Sequence, residues 1–165
     1  MSEQAIYRAE SEGKTMLIGG GDYVTMKVRS DETSRAYFAF EARTTPGFGP
    51  PLHRHAYREL FYVLEGEYEF TVEREGRLET FTAGPGSVLA VPPNQPHTFR
   101  NGTDAMSRLL MVHTPAALEE FFEEYGVEVS KVGERPEGLE PPDPTAMAGI
   151  LPRHGVELVG APAGI

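Results

Sequence analysis

Residues 47–66 read GFGPPLHRHAYRELFYVLEG, and they hold the most informative side chains of the protein. Side chains on a β-strand alternate between its two faces, so His53 and His55 project from the same face of a strand. Glu59 follows four residues after His55, and His97 comes after a second stretch rich in glycine and proline. Neutral imidazoles and a carboxylate suit Fe, Mn, Ni, Co or Zn, and the chain has no cysteine thiolate to bias the choice. The four side chains are therefore candidate ligands of one divalent transition metal ion.

The composition indicates one turn-rich globular domain. A chain of 165 residues is long enough for one hydrophobic core, and we predict a single domain over residues 1–165. Fourteen prolines and eighteen glycines indicate many turns, which favours β-structure over a helix bundle. The absence of cysteine excludes disulfides and fits a reducing cytosol.

Charge and hydropathy limit the partners that we expect. The formal net charge is −10, and an acidic chain repels phosphate backbones and anionic lipids. No apolar run reaches the length of a secretory signal or of a membrane span. We therefore expect a cytoplasmic protein that binds neither nucleic acid nor membrane.

Short strands separated by turns account for the middle of the chain. Apolar and polar side chains alternate over residues 67–73, which predicts a half-buried strand whose inward face holds Tyr68, Phe70 and Val72. Glu75 and Gly76 supply a hairpin turn after it. Other strands are predicted at 22–28, 36–43, 60–65, 87–91, 97–100 and 107–113. Strands at this spacing indicate an all-β antiparallel sandwich or barrel.

The pattern becomes helical after Thr114. Four apolar side chains recur at the spacing of one helix face, with glutamates opposite: Leu118, Phe121, Phe122 and Tyr125. Thr114 can cap this helix, Pro115 suits its first turn and Gly126 ends it. We expect the helix to pack on the outside of the β-core, with partner binding as the alternative. A second short helix is predicted from about Pro144 to before Pro152.

Glycine, proline and asparagine residues flank the candidate ligands at fixed distances. One set, with five, one, three and six residues between its members, is Gly47, His53, His55, Glu59 and Gly66. The other, with five, one, two and three residues between its members, is Gly86, Pro92, Asn94, His97 and Asn101. These spacings resemble the two motifs of the cupin superfamily, and residues 35–115 resemble its quercetin-dioxygenase-like single-domain members. Asn94 stands where the family usually has glycine, and asparagine tolerates left-handed turn geometry.

The resemblance implies a fold and a metal site. The fold is a small antiparallel β-barrel or jelly roll with its core at about 35–115 and one or two short helices within 115–165. Inside it, one divalent metal is bound by His53, His55, Glu59 and His97. The remaining coordination positions are open to a small organic substrate and O₂.

The resemblance also implies an activity, a metal-dependent dioxygenase of the quercetin or flavonol type. Glu59 is the expected catalytic residue, as a metal ligand or as the acceptor of the substrate proton. Isomerase, decarboxylase or non-catalytic small-molecule binding remain the alternatives, because a fold does not determine its chemistry. An apolar pocket favours flavonol-like substrates, whereas Arg or Lys facing the metal favours acids or sugar phosphates. Arg54 and Arg58 alternate with the ligands, so we expect both to point away from the metal.

Several other side chains have two interpretations. Five aromatic residues either line the pocket or belong to an ordinary core: Phe40, Phe61, Tyr68, Phe70 and Phe99. His113 is either a hydrogen-bonded structural group or an acid/base group of the pocket. His154 complements the dipole of a helix end. Proteins that resemble this one commonly pair through N-terminal strands, and strand-like segments at 5–7, 16–18 and 23–28 favour a homodimer, although they can equally pack on their own barrel.

Overall fold

The structure is a computed structural model that describes residues 3–140 and 143–160. Its strands and α-helices are, in chain order, β1 (Lys14–Ile18), β2 (Asp22–Val28), β3 (Phe38–Thr44), β4 (His53–His55), β5 (Arg58–Glu65), β6 (Tyr68–Arg74), β7 (Arg77–Ala83), β8 (Val88–Val91), β9 (His97–Asn101), β10 (Ser107–Thr114), α1 (Glu119–Tyr125), β11 (Val127–Val129), α2 (Pro144–Ile150) and β12 (Val156–Leu158). None of the helices in these residues is both long and apolar enough to cross a membrane. The cytoplasmic location stays a prediction.

The strands form two antiparallel sheets that face each other as a jelly roll. The seven-stranded sheet has the order β11-β1-β2-β3-β10-β5-β8, and the five-stranded sheet has the order β12-β4-β9-β6-β7. Within the described residues the strands make two separate sheets, so hydrogen bonds do not close them into one barrel. The predicted all-β antiparallel jelly roll with short C-terminal helices is confirmed.

Aromatic side chains from both sheets meet in the core. The ring of Phe61 on β5 lies 5.2 Å from that of Phe70 on β6 and 5.5 Å from that of Phe99 on β9. Burying one such side chain stabilises the fold by about 1.5–3 kcal/mol. This contact layer holds the two sheets at the separation that positions the candidate site between them.

The predicted hairpin forms between β6 and β7, with its turn at the predicted Glu75 and Gly76 and its first strand one residue later than the predicted 67–73. Tyr68, Phe70 and Val72 are buried on its inner face, as the alternation predicts. Glu75 and Gly76 have φ angles of 51° and 75°, and two successive positive φ angles match the turn that suits the twist of a two-residue hairpin.

The helix after β10 begins at Glu119 rather than at Pro115, so the predicted start is wrong. The backbone just before the helix has other contacts and another conformation. The Ala116 N–H donates to the Arg35 carbonyl at 3.0 Å, and Leu118 has a left-handed φ of 74°. The helix packs on the β-core as expected, with the ring of Phe122 5.1 Å from that of Phe40. The second predicted helix is confirmed as α2 followed by a 3₁₀ turn at Leu151–His154.

Of the three predicted N-terminal strand segments, the structure has two as strands. Residues 5–7 are not a strand, whereas β1 and β2 pair with each other and β2 pairs with β3. β11, which was not predicted, covers the other edge of β1. The N-terminal strands thus pack on their own sheet, and the homodimer stays a prediction.

Candidate metal centre

Three imidazoles come from the five-stranded sheet. His53 and His55 lie at the two ends of β4 with both side chains buried, and His97 at the start of β9 pairs opposite His53. Arg54 points outward between them, where its guanidinium pairs with Glu157 at 2.6 Å. The strand alternation that the sequence indicates therefore puts both histidines of β4 on the inner face.

The carboxylate comes from the opposite sheet. Glu59 alternates along β5 with side chains that point to solvent, so it is buried while Arg58 and Leu60 are exposed. One donor atom each from Glu59, His53, His55 and His97 lies within 4.8 Å of every other. The structure thus brings together the four residues that the sequence singles out, and Arg54 and Arg58 both point away.

Each of the three imidazoles is held by a backbone carbonyl next to it in the chain. Nδ1 of His53 lies 2.7 Å from the Pro51 carbonyl, Nδ1 of His55 3.0 Å from that of Tyr57, and Nδ1 of His97 2.8 Å from that of Gln95. A carbonyl oxygen only accepts hydrogen bonds, so each Nδ1 carries a proton, and Nε2 is the nitrogen left to face a metal ion. This arrangement, with a carbonyl behind each ring, is the one that metal-binding histidines adopt.

The distances between the donor atoms fit a metal ion. Oε2 of Glu59 lies 3.0 Å from Nε2 of His55 and 2.8 Å from Nε2 of His97. A nitrogen and a carboxylate oxygen at this distance need a proton or a metal ion between them. Two ligand atoms about 2.1 Å from one ion and at right angles to each other are about 3 Å apart. The residues therefore fit one divalent transition metal.

A fourth histidine, His113 on β10, holds the outer oxygen of Glu59. Nε2 of His113 lies 2.8 Å from Oε1 of Glu59, and its Nδ1 lies 2.9 Å from the Ala117 carbonyl. Both partners only accept, so the ring donates from both nitrogens, as an imidazolium does. His113 is fully buried, which makes this a buried ion pair. Of its two sequence interpretations, the structure shows the hydrogen-bonded one.

The site keeps its carboxylate charged and the imidazole of His53 neutral. Burial acts to raise the pKa of Glu59, but the charge and hydrogen bond of His113, with the bonds from His55 and His97, hold that pKa well below its usual range. Burial, followed by the neighbouring His97, lowers the pKa of His53 to about 4. At neutral pH these are the protonation states that metal ligands need.

Comparison with known proteins identifies the fold. Residues 40–113 match the family model described as Cupin domain. The structure is similar to that of a RmlC-like cupin from Shewanella frigidimarina, with a TM-score of 0.54 and 24% identity over 73% of this chain and 96% of that one. The chain has a cupin fold.

Other solved structures share this cupin fold. A predicted oxalate decarboxylase from Thermotoga maritima has a TM-score of 0.56 at 18% identity, over 67% of this chain and 98% of that one. The polyketide cyclase RemF from Streptomyces resistomycificus has a TM-score of 0.54 at 22% identity, over 68% and 79%. No curated protein sequence matches this chain.

Two turns hold the histidine strands of this chain in place. A Cβ atom on Gly49 would lie 1.7 Å from the Phe99 carbonyl oxygen, so only glycine lets this loop pass β9. Asn94 has a φ of 64°, and its N–H donates to the His55 carbonyl at 2.7 Å. Asn94 thus adopts the left-handed turn that its glycine-like position requires.

An apolar cavity between the sheets is bordered by the candidate metal centre. Its lining includes His53 and Glu59, together with apolar side chains from both sheets and both helices, among them Phe40, Phe99, Met111, Leu118, Phe122 and Met147. Of the five aromatic residues with two interpretations, Phe40 and Phe99 line the cavity, while Phe61, Tyr68 and Phe70 are core residues outside its lining.

Tyr57 is a cavity residue that the sequence did not single out, although it lies between His55 and Glu59 in the chain. Its ring stacks on that of His55 with centroids 3.7 Å apart and an angle of 2° between the planes. Burial, reinforced by the charge of Glu59, raises the pKa of Tyr57 well above its ordinary value. Tyr57 therefore presents a neutral phenol beside the centre.

Asp22, the first residue of β2, also lines the cavity. Its side chain is 0% exposed, and its Oδ1 accepts hydrogen bonds from the backbone N–H and the hydroxyl of Thr45 at 2.6 and 2.8 Å. Its Oδ2 has no hydrogen-bond partner in residues 3–140 and 143–160. Burial outweighs the two Thr45 bonds and raises the pKa of Asp22 to about 6.

The raised pKa predicts that ionisation of Asp22 destabilises the fold. Its stabilising contribution is full below the unfolded-state pKa of 3.8 and is lost as the pH rises through about 6. Urea unfolding should find Asp22→Asn and wild type similar near pH 4, and the variant more stable by up to about 3 kcal/mol at pH 7. Asp31→Asn, the same change at an exposed side chain, is the control. An Asp22→Asn difference that is equal at both pH values would refute this account.

Proposed function

We propose that this cupin is a metal-dependent enzyme that acts on an enol- or phenol-like aromatic substrate, as a dioxygenase of the quercetin or flavonol type. One divalent ion would be held by His53, His55, Glu59 and His97. The observation that carries the proposal is the apolar cavity, because it is lined by His53 and Glu59 and by aromatic side chains. Such a cavity offers dispersion and stacking contacts to a planar ring.

The charges around the cavity support an aromatic substrate over a small acid or a sugar phosphate. A dianion needs cationic side chains close to the metal, and Arg54 and Arg58, the nearest in sequence, both face solvent. Among the described residues, Arg43 is the one arginine that lines the cavity, and it lies on the strand next to that of Asp22. Oxalate-like substrates would therefore meet an apolar wall here, although the predicted oxalate decarboxylase shares the fold.

The chain's own residues would hold, orient and shield the substrate. A bound divalent ion supplies Lewis acidity, which lowers the pKa of a substrate hydroxyl and makes its ring system electron-rich enough to react with O₂. Phe40, Phe99 and Phe122 exclude water from the ring, and Tyr57 offers a neutral hydroxyl beside it. The catalytic role of Glu59 stays a prediction. Its low pKa and its bond to His113 suit a permanent ligand better than a proton acceptor.

Oxygen uptake tests the proposal. We expect the protein loaded with Fe, Mn, Co or Ni to consume one O₂ per substrate molecule with at least one member of a panel of flavonols and catechols. With ¹⁸O₂, both labelled atoms should enter the organic product. His53→Ala, treated with the same metals, is the control and should show no uptake. If no combination of metal and substrate consumes oxygen, the dioxygenase proposal is wrong.

A non-oxidative reaction on the same class of substrate is the second candidate. The similarity in fold to a polyketide cyclase and the aromatic cavity lining both favour it. The same assay separates the two, since product formed without oxygen would support cyclisation or isomerisation. Decarboxylation and non-catalytic binding would be distinguished there by release of CO₂ or by the absence of any product.

A further inference from the structure

The cavity has polar groups at two opposite ends. His113 on β10 pairs with Glu59 on β5 at one side and with Phe38 on β3 at the other. The metal centre therefore lies level with the beginning of β3. Asp22 lies beside the other end of that strand, next to Thr44. At about 3.3 Å per residue, the two levels are about 20 Å apart along β3 (Phe38 to Thr44) and about 13 Å apart along β6 (Tyr68, which contacts Thr44, to Val72, which pairs with His97). A molecule that contacts both ends must therefore be elongated.

Oδ2 of Asp22 has no hydrogen-bond donor among the nearby side chains of the described residues. A carboxylate oxygen buried without a donor is costly, and almost all buried polar atoms in proteins have a partner. Among the described residues, the Tyr68 hydroxyl is engaged with the Thr44 hydroxyl at 2.7 Å. The Arg135 guanidinium is near enough for its charge to lower the pKa of Asp22, but its hydrogen bond goes to the Gly20 carbonyl at 3.5 Å. Thr45 is bound to the other oxygen, Oδ1. Because Asp22 lines the cavity, a molecule bound there can supply a donor to Oδ2.

We propose that Oδ2 of Asp22 accepts a hydrogen bond from a hydroxyl group of the bound aromatic substrate and thereby determines which end of it faces the metal centre. The substrate class rests on the proposed function, whereas the acceptor and the cavity do not. A phenolic hydroxyl combines a donor for Oδ2 with a ring for the apolar walls. An ether or an unsubstituted ring edge offers no donor, so Asp22 selects hydroxylated ends.

Single-ring probes test Asp22 without the metal. Phenol carries the donor and anisole lacks it, and both are titrated into metal-free protein while the ¹³C resonance of the Asp22 carboxyl carbon is followed. A hydrogen bond to a charged acceptor predicts that phenol binds about tenfold or more tightly than anisole and shifts this resonance. In Asp22→Asn the amide can still accept from Thr45 through its oxygen but presents NH₂ to the cavity, so the preference for phenol should fall to about threefold or less.

The control variant for Asp22, and the results that would contradict its role, differ from those that test the metal site. Asp31→Asn makes the same change on an exposed side chain and should keep the wild-type preference. Equal binding of phenol and anisole by the wild type, no binding of either at millimolar concentration, or an unchanged preference in Asp22→Asn would each overturn the proposal. The wild-type comparison stands even if the variant does not fold. Metal content and oxygen uptake are measured in separate experiments. A failure of the proposed function can therefore be told apart from a failure of the proposal for Asp22.

Discussion

Replacing His53 or His97 by alanine should remove most of the metal affinity of this protein. Zinc sites with four protein ligands bind with about 10–16 kcal/mol, so one ligand contributes roughly 3 kcal/mol or about a hundredfold in affinity. Elemental analysis of the wild type should find about one divalent metal ion per chain. Titration with Zn²⁺ or Co²⁺ against a competing chelator should then show the loss in each variant.

The matched control for these ligand variants is His154→Ala. His154 lies away from the centre and pairs with Glu124 near the surface at 2.6 Å. Its replacement should leave metal content and affinity unchanged. Full metal occupancy in His53→Ala would show that the ligand assignment is wrong.

Replacing His113 by leucine should have the largest effect on the stability of the metal-free protein. Glu59 is fully buried in this ion pair, and breaking a buried pair by removing one partner costs about 3–5 kcal/mol, because it leaves the other charge uncompensated. Urea unfolding of the metal-free protein measures this loss. Because His113 fixes the orientation of a metal ligand, metal affinity should also fall about 10–100-fold.

Two further variants separate positioning of Glu59 from general destabilisation. His113→Gln restores an N–H donor, and it should recover part of the metal affinity and of the visible absorption spectrum of the Co²⁺ form. His154→Leu makes the same change as His113→Leu at a histidine–glutamate pair near the surface, and it should cost at most about 1 kcal/mol. The role of His113 would be rejected if His113→Leu bound metal like the wild type and unfolded within 1 kcal/mol of it.

The candidate ligands could be predicted from the sequence because the side chains of a strand alternate between its faces with a period of two residues. Two histidines two residues apart share a strand face whatever that strand packs against. His113 lies 54 residues from Glu59, and their contact depends on the register of β5 against β10, which local patterns do not contain. The same holds for Asp22, whose place in the cavity depends on how β2 pairs with β3.

The fold shows the same division between local and long-range information. The alternation and the turn residues located the β6–β7 hairpin to within one residue. The start of α1 was mistaken because the Ala116 N–H bonds to Arg35, 81 positions earlier in the chain, instead of entering a helix. Sequence alone did not separate Phe99, which lines the cavity, from Phe61, which does not, because both occupy inward strand positions.

The central claim is that His53, His55, Glu59 and His97 bind one metal ion between the two sheets. An anomalous difference map from crystals of the Zn²⁺- or Co²⁺-loaded protein, recorded at the absorption edge of the metal, tests it most directly. We predict one strong peak about 2.0–2.2 Å from the Nε2 atoms of the three histidines and from Oε2 of Glu59. A map without a peak there, or with its main peak on other side chains, would contradict the claim.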